Sequence, residues 1–149
     1  MDKMGTLSSD QKLALKTYVK LMRATGVVNE RMHRHLSPEK LTFSQFAVIE
    51  TLYHLGSLCQ QDIGRKILRT SGNITMVIDN LEKRGLVVRT NDPNDRRYKR
   101  VSLTEAGKHL IKKIFPRHAE IAKGVFATLT LQEQEQLGTL LKKLGTKAA

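Results

Sequence analysis

Four cations fall within the five residues 96–100, as Arg96, Arg97, Lys99 and Arg100, directly after the turn-forming run DPND at 92–95. So dense a cluster repels itself, and a polyanion beside it relieves the repulsion. Arginine also suits a narrow minor groove, where negative potential is enhanced. The competing reading is a solvated, charged hairpin that resists edge pairing. A second feature lies at Ser71-Gly72-Asn73. A helix starting there presents unpaired backbone N–H groups and the positive end of its dipole, which suits a phosphate. The helix has an apolar face of Ile74, Val77, Ile78 and Leu81. Its other face carries Gly72, Thr75, Met76, Asp79, Asn80 and Lys83. The apolar face must pack, so the polar face is left for a partner whose groove admits one helix.

Other chemistry is absent from the sequence. There is no acid and base paired with a nucleophile, no phosphate loop and no metal cluster, which argues against an enzyme. His33 and His35 are two apart, so a helix points them to different faces. Cys59 is the single cysteine and has no partner for an intrachain disulfide. No metal and no cofactor are expected.

The elements that must hold these groups follow from periodicity and from turn residues. Ser8-x-x-Gln11 is a capping box opening a helix, with Leu15, Tyr18, Val19, Met22, Met32 and Leu36 at helical spacing. Gly26 is expected to bend or interrupt it, and Ser37-Pro38 to end it. Thr42-x-x-Gln45 opens a second helix, with Phe46, Ala47, Ile49, Leu52 and Leu55 inward and Gly56 as its stop. A short segment from Cys59 to Leu68 follows, and then Thr70 as N-cap of the helix that ends at Gly85. Leu86, Val87 and Val88 read as a strand, and RRYKRVSL (96–103) alternates, so the pair predicts a β-hairpin around DPND. Helical spacing returns through Leu110, Ile111, Ile114, Phe115, Ile121, Val125 and Leu129. Pro116 is expected to kink or break that helix. Thr130-x-x-Glu133 opens the last one, with Leu137, Leu140, Leu141 and Leu144.

The 149 residues suit one domain with helical extensions. The net charge of +12 is spread evenly: residues 1–40, 41–103 and 104–149 carry eight, ten and eight basic side chains against four, six and four acidic ones. Such a field favours polyanions without naming one. No apolar run approaches a membrane span and the N-terminus lacks an apolar signal core, so the expected location is cytoplasmic, with no membrane partner.

Helix, short helix, helix and hairpin are the order of a winged helix-turn-helix. Residues 41–107 resemble the MarR family of prokaryotic regulators in three segments: LTFSQFAVIETLYHLG (41–56), TSGNITMVIDNLEKRGLVVR (70–89) and DPNDRRYKRVSLTEAG (92–107). The last matches the family's wing pattern, Asp-x-Arg followed by Val-x-Leu-Thr and then Gly. The resemblance implies a mainly α fold, α+β by its small wing, with a winged helix-turn-helix flanked by N- and C-terminal dimerisation helices. The implied domains are 1–40 and 105–149 for dimerisation and 41–104 for DNA binding. The implied partners are a second copy and double-stranded DNA, as a pseudo-palindromic operator with half-sites about one helical turn apart.

By the same resemblance Arg97 is the wing-tip arginine of the minor groove, Asp95 orients it and Arg96 contacts phosphate. Ser71, Asn73, Thr75 and Met76 face DNA, and Gly72, Lys83 and Lys99 complete the DNA-binding set. Met76 replaces a common arginine and leaves only apolar contacts, for example to a thymine methyl. Cys59 stands where the family has a serine or threonine N-cap, and it reads as a small buried filler rather than a redox sensor. Many members bind a small phenolic or anionic effector between the dimer helices and the DNA-binding lobe, which releases DNA if the ligand prefers one spacing of the two recognition helices. His33, Tyr53, His54 and His118 are polar groups placed on helices to line such a pocket. TSGNIT is similar to a branch that responds to hydroquinones and related aromatics. The resulting expectation is a repressor released by a small aromatic or anionic effector. The alternatives are a constitutive DNA binder without effector, which a ligand-dependent shift in affinity separates, and a protein-interaction module on the winged fold, whose activity Arg97→Ala would spare.

Overall fold

The protein is represented by a computed structural model, which describes residues 5–67 and 74–146. The chain divides into two compact units, residues 35–120 and residues 1–34 with 121–149.

The middle unit carries the small sheet. Helix α2 (Phe43–Leu55) is opened by Thr42, whose side chain accepts from the backbone N–H of Gln45 while the Gln45 side chain accepts from the backbone N–H of Thr42. It ends at Gly56, which donates its N–H to the carbonyl of Leu52. Strand β1 (Leu58–Cys59), helix α3 (Gln60–Ile67) and helix α4 (Ile74–Lys83) follow. Strands β2 (Val87–Asn91) and β3 (Lys99–Leu103) form an antiparallel hairpin, and β1 joins the other edge of β3 in the order β1-β3-β2. The register pairs Val87 with Leu103 and Arg89 with Val101. Helix α5 (Glu105–Phe126) leaves the hairpin.

These elements close on one core. Leu36, Phe46, Val48, Ile49, Ile63, Ile78, Leu81, Val87, Val101 and Ile111 are buried together, with Ile74, Val77 and Leu103 packed against them. Burial of such side chains contributes roughly 1.5–3 kcal/mol each. The expected inward faces of α4 and of the hairpin are therefore present. In α2 the face is shifted. Leu55 is exposed, because the chain turns away at Gly56, and Val48 is fully buried in its stead.

The other unit holds α1 (Ser9–His33), the end of α5, and α6 (Leu131–Gly145). The expected capping boxes at Ser8 and Thr130 are both formed. Between α5 and α6 the Gln134 amide donates to the carbonyls of Phe126 and Leu129, at 2.9 and 3.1 Å. Neither α1 nor α6 contains a buried residue.

Three expectations about helices and one about the hairpin require correction. Helix α1 runs unbroken through Gly26. It ends at His33, ahead of Ser37-Pro38, where the chain tightens into a 3-10 turn over Arg34–Glu39 that contains Pro38. That turn buries His35 and Leu36, so tertiary packing rather than the proline sets the helix end. Pro116 does not break α5, which runs continuously from Glu105 to Phe126. Both Pro116 and Lys112, whose carbonyl loses its donor, are exposed, so water can satisfy that group. In the hairpin, β3 starts at Lys99 rather than Arg96, and Cys59 is a half-buried strand residue opposite Arg100. Among the described residues, no helix is long and apolar enough to cross a membrane.

Glu50 on α2 carries a testable charge effect. Burial raises its carboxyl above the ordinary value, and His54, one turn on, partly opposes this. A raised folded-state value means that the group favours folding at low pH, and that this contribution is lost as pH rises through the raised value. Glu50→Gln is therefore expected to raise the melting temperature by about 1–2 °C at neutral pH. The gain should vanish below about pH 4, where the acid is protonated in both states. Thermal denaturation at the two pH values checks this, and a gain that persists in acid would assign it to another cause.

Candidate nucleic-acid interface

The wing tip is built by its own turn. Asp92 Oδ1 accepts from the N–H groups of Asn94 and Asp95, at 2.8 and 3.3 Å. The backbone N–H of Asp92 donates to the Tyr98 carbonyl at 3.1 Å, and that of Tyr98 to the Asp95 carbonyl at 3.1 Å. Asp95 and Arg97 are thereby brought onto one side of the tip. Arg97 donates from Nε to both carboxylate oxygens of Asp95, at 3.0 and 3.1 Å, and from Nη2 to Oδ2 at 2.7 Å. These bonds hold the Asp95 carboxyl below the usual aspartate range and push Arg97 further up. The Arg97 side chain remains 83% exposed. The guanidinium is thus oriented by the chain but still open to solvent.

The other cations differ from the simple picture of four repelling charges. Lys99 donates to Asn91 Oδ1 at 2.6 Å. Arg100 donates to the Ser57 carbonyl at 3.0 Å and lies 3.7 Å from Asp92. The chain itself therefore answers much of the repulsion, and Arg100 ties β1 to the hairpin. Arg96 is exposed at the tip.

Helix α4 presents Thr75, Met76 and Lys83 outward, with Met76 59% exposed. Lys83 stands seven residues beyond Met76, almost two turns along the same face. Ser71, Gly72 and Asn73, with Thr70, lie outside the described residues. A cleft of about 340 Å³ runs between the starts of α3 and α4 and the wing, lined by Gln60, Ile74, Thr75, Arg97, Tyr98 and Lys99 among others. Thr75, Arg97 and Lys99 thus share one surface.

Two residues went unnoticed in the sequence. Arg89 on β2 is 16% exposed in its side chain. It donates from Nη1 to Asp79 Oδ1 at 2.5 Å and to Glu82 Oε1 at 3.5 Å. It donates from Nη2 to the Thr75 carbonyl and from Nε to Gln60 Oε1, both at 3.2 Å. Gln60 in turn donates to Thr75 Oγ1 at 2.8 Å. A signal was available: Asp79 and Glu82 stand three residues apart on one helix, where a nearby cation can pair with both.

Of the four residues expected around an effector, Tyr53, His54 and His118 fall in the middle unit. Tyr53 lines a cleft of about 380 Å³ with Leu52, Ser57, Ser102, Lys108 and Lys112. His54 meets Tyr53 and Phe115 edge to face, with ring centroids 5.3 and 5.1 Å away. His118 packs on Phe46, centroids 4.5 Å apart, and its Nδ1 is 3.2 Å from His35 Nε2. His33 belongs to the other unit.

The MarR family model matches residues 41–99, a span that runs from the start of α2 through α4 and β2 to the tip of the wing. The HTH-type transcriptional regulator MhqR of Bacillus subtilis is 39% identical over 135 residues, covering 91% of this chain and 93% of that protein. The chain belongs to the MarR family. Two solved MarR-like folds are close in shape. BpsR of Bordetella bronchiseptica, described for regulation of its DNA binding by 6-hydroxynicotinic acid, is 27% identical with a TM-score of 0.80, over 88% of this chain and 99% of that one. MepR of S. aureus, solved as a complex with DNA, is 25% identical with a TM-score of 0.74, over 86% of this chain and 94% of that one. This MarR protein is a DNA-binding transcriptional regulator and not an enzyme. Its mainly α fold with a small antiparallel wing is the expected winged helix-turn-helix.

Proposed function

We propose that this MarR protein is a dimeric repressor that reads a pseudo-palindromic DNA operator and is released by a small aromatic or anionic effector. The observation that carries the reading is the wing-tip pair: Arg97, held by Asp95 yet open to solvent, shares a cleft with Thr75 at the start of α4. Arg97 enters the minor groove, while Arg96 and Lys99 contact phosphate. Thr75, Met76 and Lys83 face the major groove, completed at the helix start by Ser71, Gly72 and Asn73. Residues 41–104 are the DNA-reading part, and 1–40 and 105–149 the dimerisation segments. Such a regulator works in the cytoplasm.

Apolar surface supports the dimer. Leu13, Tyr18, Leu131, Leu140 and Leu144 are each at least 60% exposed. Leu13, Tyr18, Leu21 and Leu144 line an apolar groove of about 450 Å³ between α1 and α6. Large contiguous apolar faces are rarely left open on a monomer. The effector class is supported by the cleft at Tyr53, where Lys108 and Lys112 supply positive charge beside an aromatic ring. BpsR, whose named regulator is an aromatic acid, supports the same class.

Selection of bound duplexes from a random pool, followed by titration of the winner, tests the reading. Log affinity should fall with log salt with a slope of about −5 or steeper, reflecting several phosphate contacts. A panel of aromatic acids and hydroquinones should include a member that weakens binding at least about tenfold. Sedimentation should give a dimer. A flat salt response would overturn the DNA-reading assignment, and no shift across the panel would remove the effector.

A further inference from the structure

We propose that Arg89 is a positioning residue that sets the angle between the recognition helix α4 and the wing, by clamping Asp79, Glu82, Thr75 and Gln60. The inference rests on the reading that α4 and the wing face DNA together. Recognition then depends on two elements arriving in two grooves at once, so whatever fixes their relative angle controls specificity.

The geometry favours a clamp over a direct DNA contact. The Arg89 side chain is 16% exposed, against 83% for Arg97. Its Nε, Nη1 and Nη2 are all engaged within the chain, which leaves little of the guanidinium for phosphate. On the strand it sits opposite Val101, which is fully buried, so the position is anchored in the core. Glu82 grips β2 twice: it accepts from the Arg89 backbone N–H at 3.0 Å and from the guanidinium at 3.5 Å. Gln60 uses both ends of its amide, accepting from Arg89 and donating to Thr75, so α3 is drawn into the same network. Three elements around the cleft are joined through one cation.

The carboxylates give the inference its sharpest consequence. Asp79 and Glu82 are 46% and 41% exposed on a helix that approaches phosphates. As free charges they would oppose DNA, and neutralising either would tighten binding to every sequence. As parts of a clamp they do the opposite for the operator.

The test uses the full chain and four variants: Asp79→Asn, Arg89→Met, the double variant that combines those two, and Arg97→Ala. Each is titrated against the selected operator and against a scrambled duplex, over a range of salt, well below its measured melting temperature. Asp79→Asn should weaken operator binding about tenfold, with scrambled-duplex binding unchanged or tighter. Arg89→Met should weaken operator binding at least as much with an unchanged salt slope, because no phosphate contact is lost. The double variant should be little worse than either single one, since both break the same clamp. Should Arg89→Met fail to fold, Asp79→Asn decides alone. Unchanged or tighter operator binding by Asp79→Asn overturns the clamp, as does a shallower salt slope for Arg89→Met. If Arg97→Ala also leaves operator binding unchanged, the interface reading itself fails rather than the clamp.

Discussion

Arg97→Ala is expected to weaken operator binding by about ten- to hundredfold, in line with the roughly 1–3 kcal/mol of a well-placed arginine contact. Two losses combine. In the proposed complex the cation is lost from the minor groove, where the potential is strongest. The orientation supplied by Asp95 is lost with it, because that pair holds the side chain before DNA arrives. The fold and the proposed dimer should be unaffected, since the Arg97 side chain is 83% exposed at the tip. Fluorescence titration at matched salt reads the first effect, and sedimentation and thermal denaturation read the second. An unchanged affinity would count against the wing assignment. The pair should also be insensitive to pH in the physiological range. Hydrogen bonds from Arg97 lower the Asp95 value in the folded state. The ordering is thus present above the ordinary aspartate value and is lost only as pH falls through the lowered one.

Gly107→Ala is expected to destabilise the protein by about 2–3 kcal/mol, a drop of about 5–10 °C in melting temperature. Gly107 lies in the first turn of α5, and its N–H donates to Thr104 Oγ1 at 3.1 Å. A Cβ there would run into the Leu86 carbonyl oxygen and come within 3.1 Å of Leu103 Cδ2. The main obstacle is main chain, and the same oxygen already accepts from the Thr104 N–H at 3.1 Å. Relief therefore requires moving α5 away from the base of the wing. Gly138→Ala in α6 is the control. Nothing lies within 4 Å of its added Cβ. Its helix should gain up to about 1 kcal/mol. Thermal denaturation of both variants checks the contrast. A Gly107→Ala protein that melts within about a degree of the parent would show that the contact yields readily.

Local signals were readable in the sequence and distant ones were not. The boxes at Ser8, Thr42 and Thr130 form as expected because each needs only a partner three residues away. The wing was equally legible, since turn, strand alternation and helix start all fall within residues 92–107. The end of α1 escaped because burial of His35 and Leu36 overrides the local disfavour before proline. Arg89 escaped for a similar reason. Its partners stand 7 to 29 residues away, in two other elements, and only the folded chain brings them together. The cations at 96–100 repel one another less than their spacing alone suggests, as Asp92, Asn91 and Asp95 already absorb part of that charge.

Thr104 closes the wing at its base. Its hydroxyl donates to the Gly85 carbonyl at 2.6 Å, and its backbone N–H donates to Leu86 at 3.1 Å. The exit of α4 and the entry of α5 are therefore fastened to each other directly, and residues 87–103 form a loop closed at its root. Lengthening such a loop adds only a slowly growing closure entropy, about 0.6 kcal/mol for each doubling. Insertions at the tip thus leave the neighbouring helices where they stand. A lineage can try new wing lengths and new tip residues, and so drift toward new operators, without having to find a new fold.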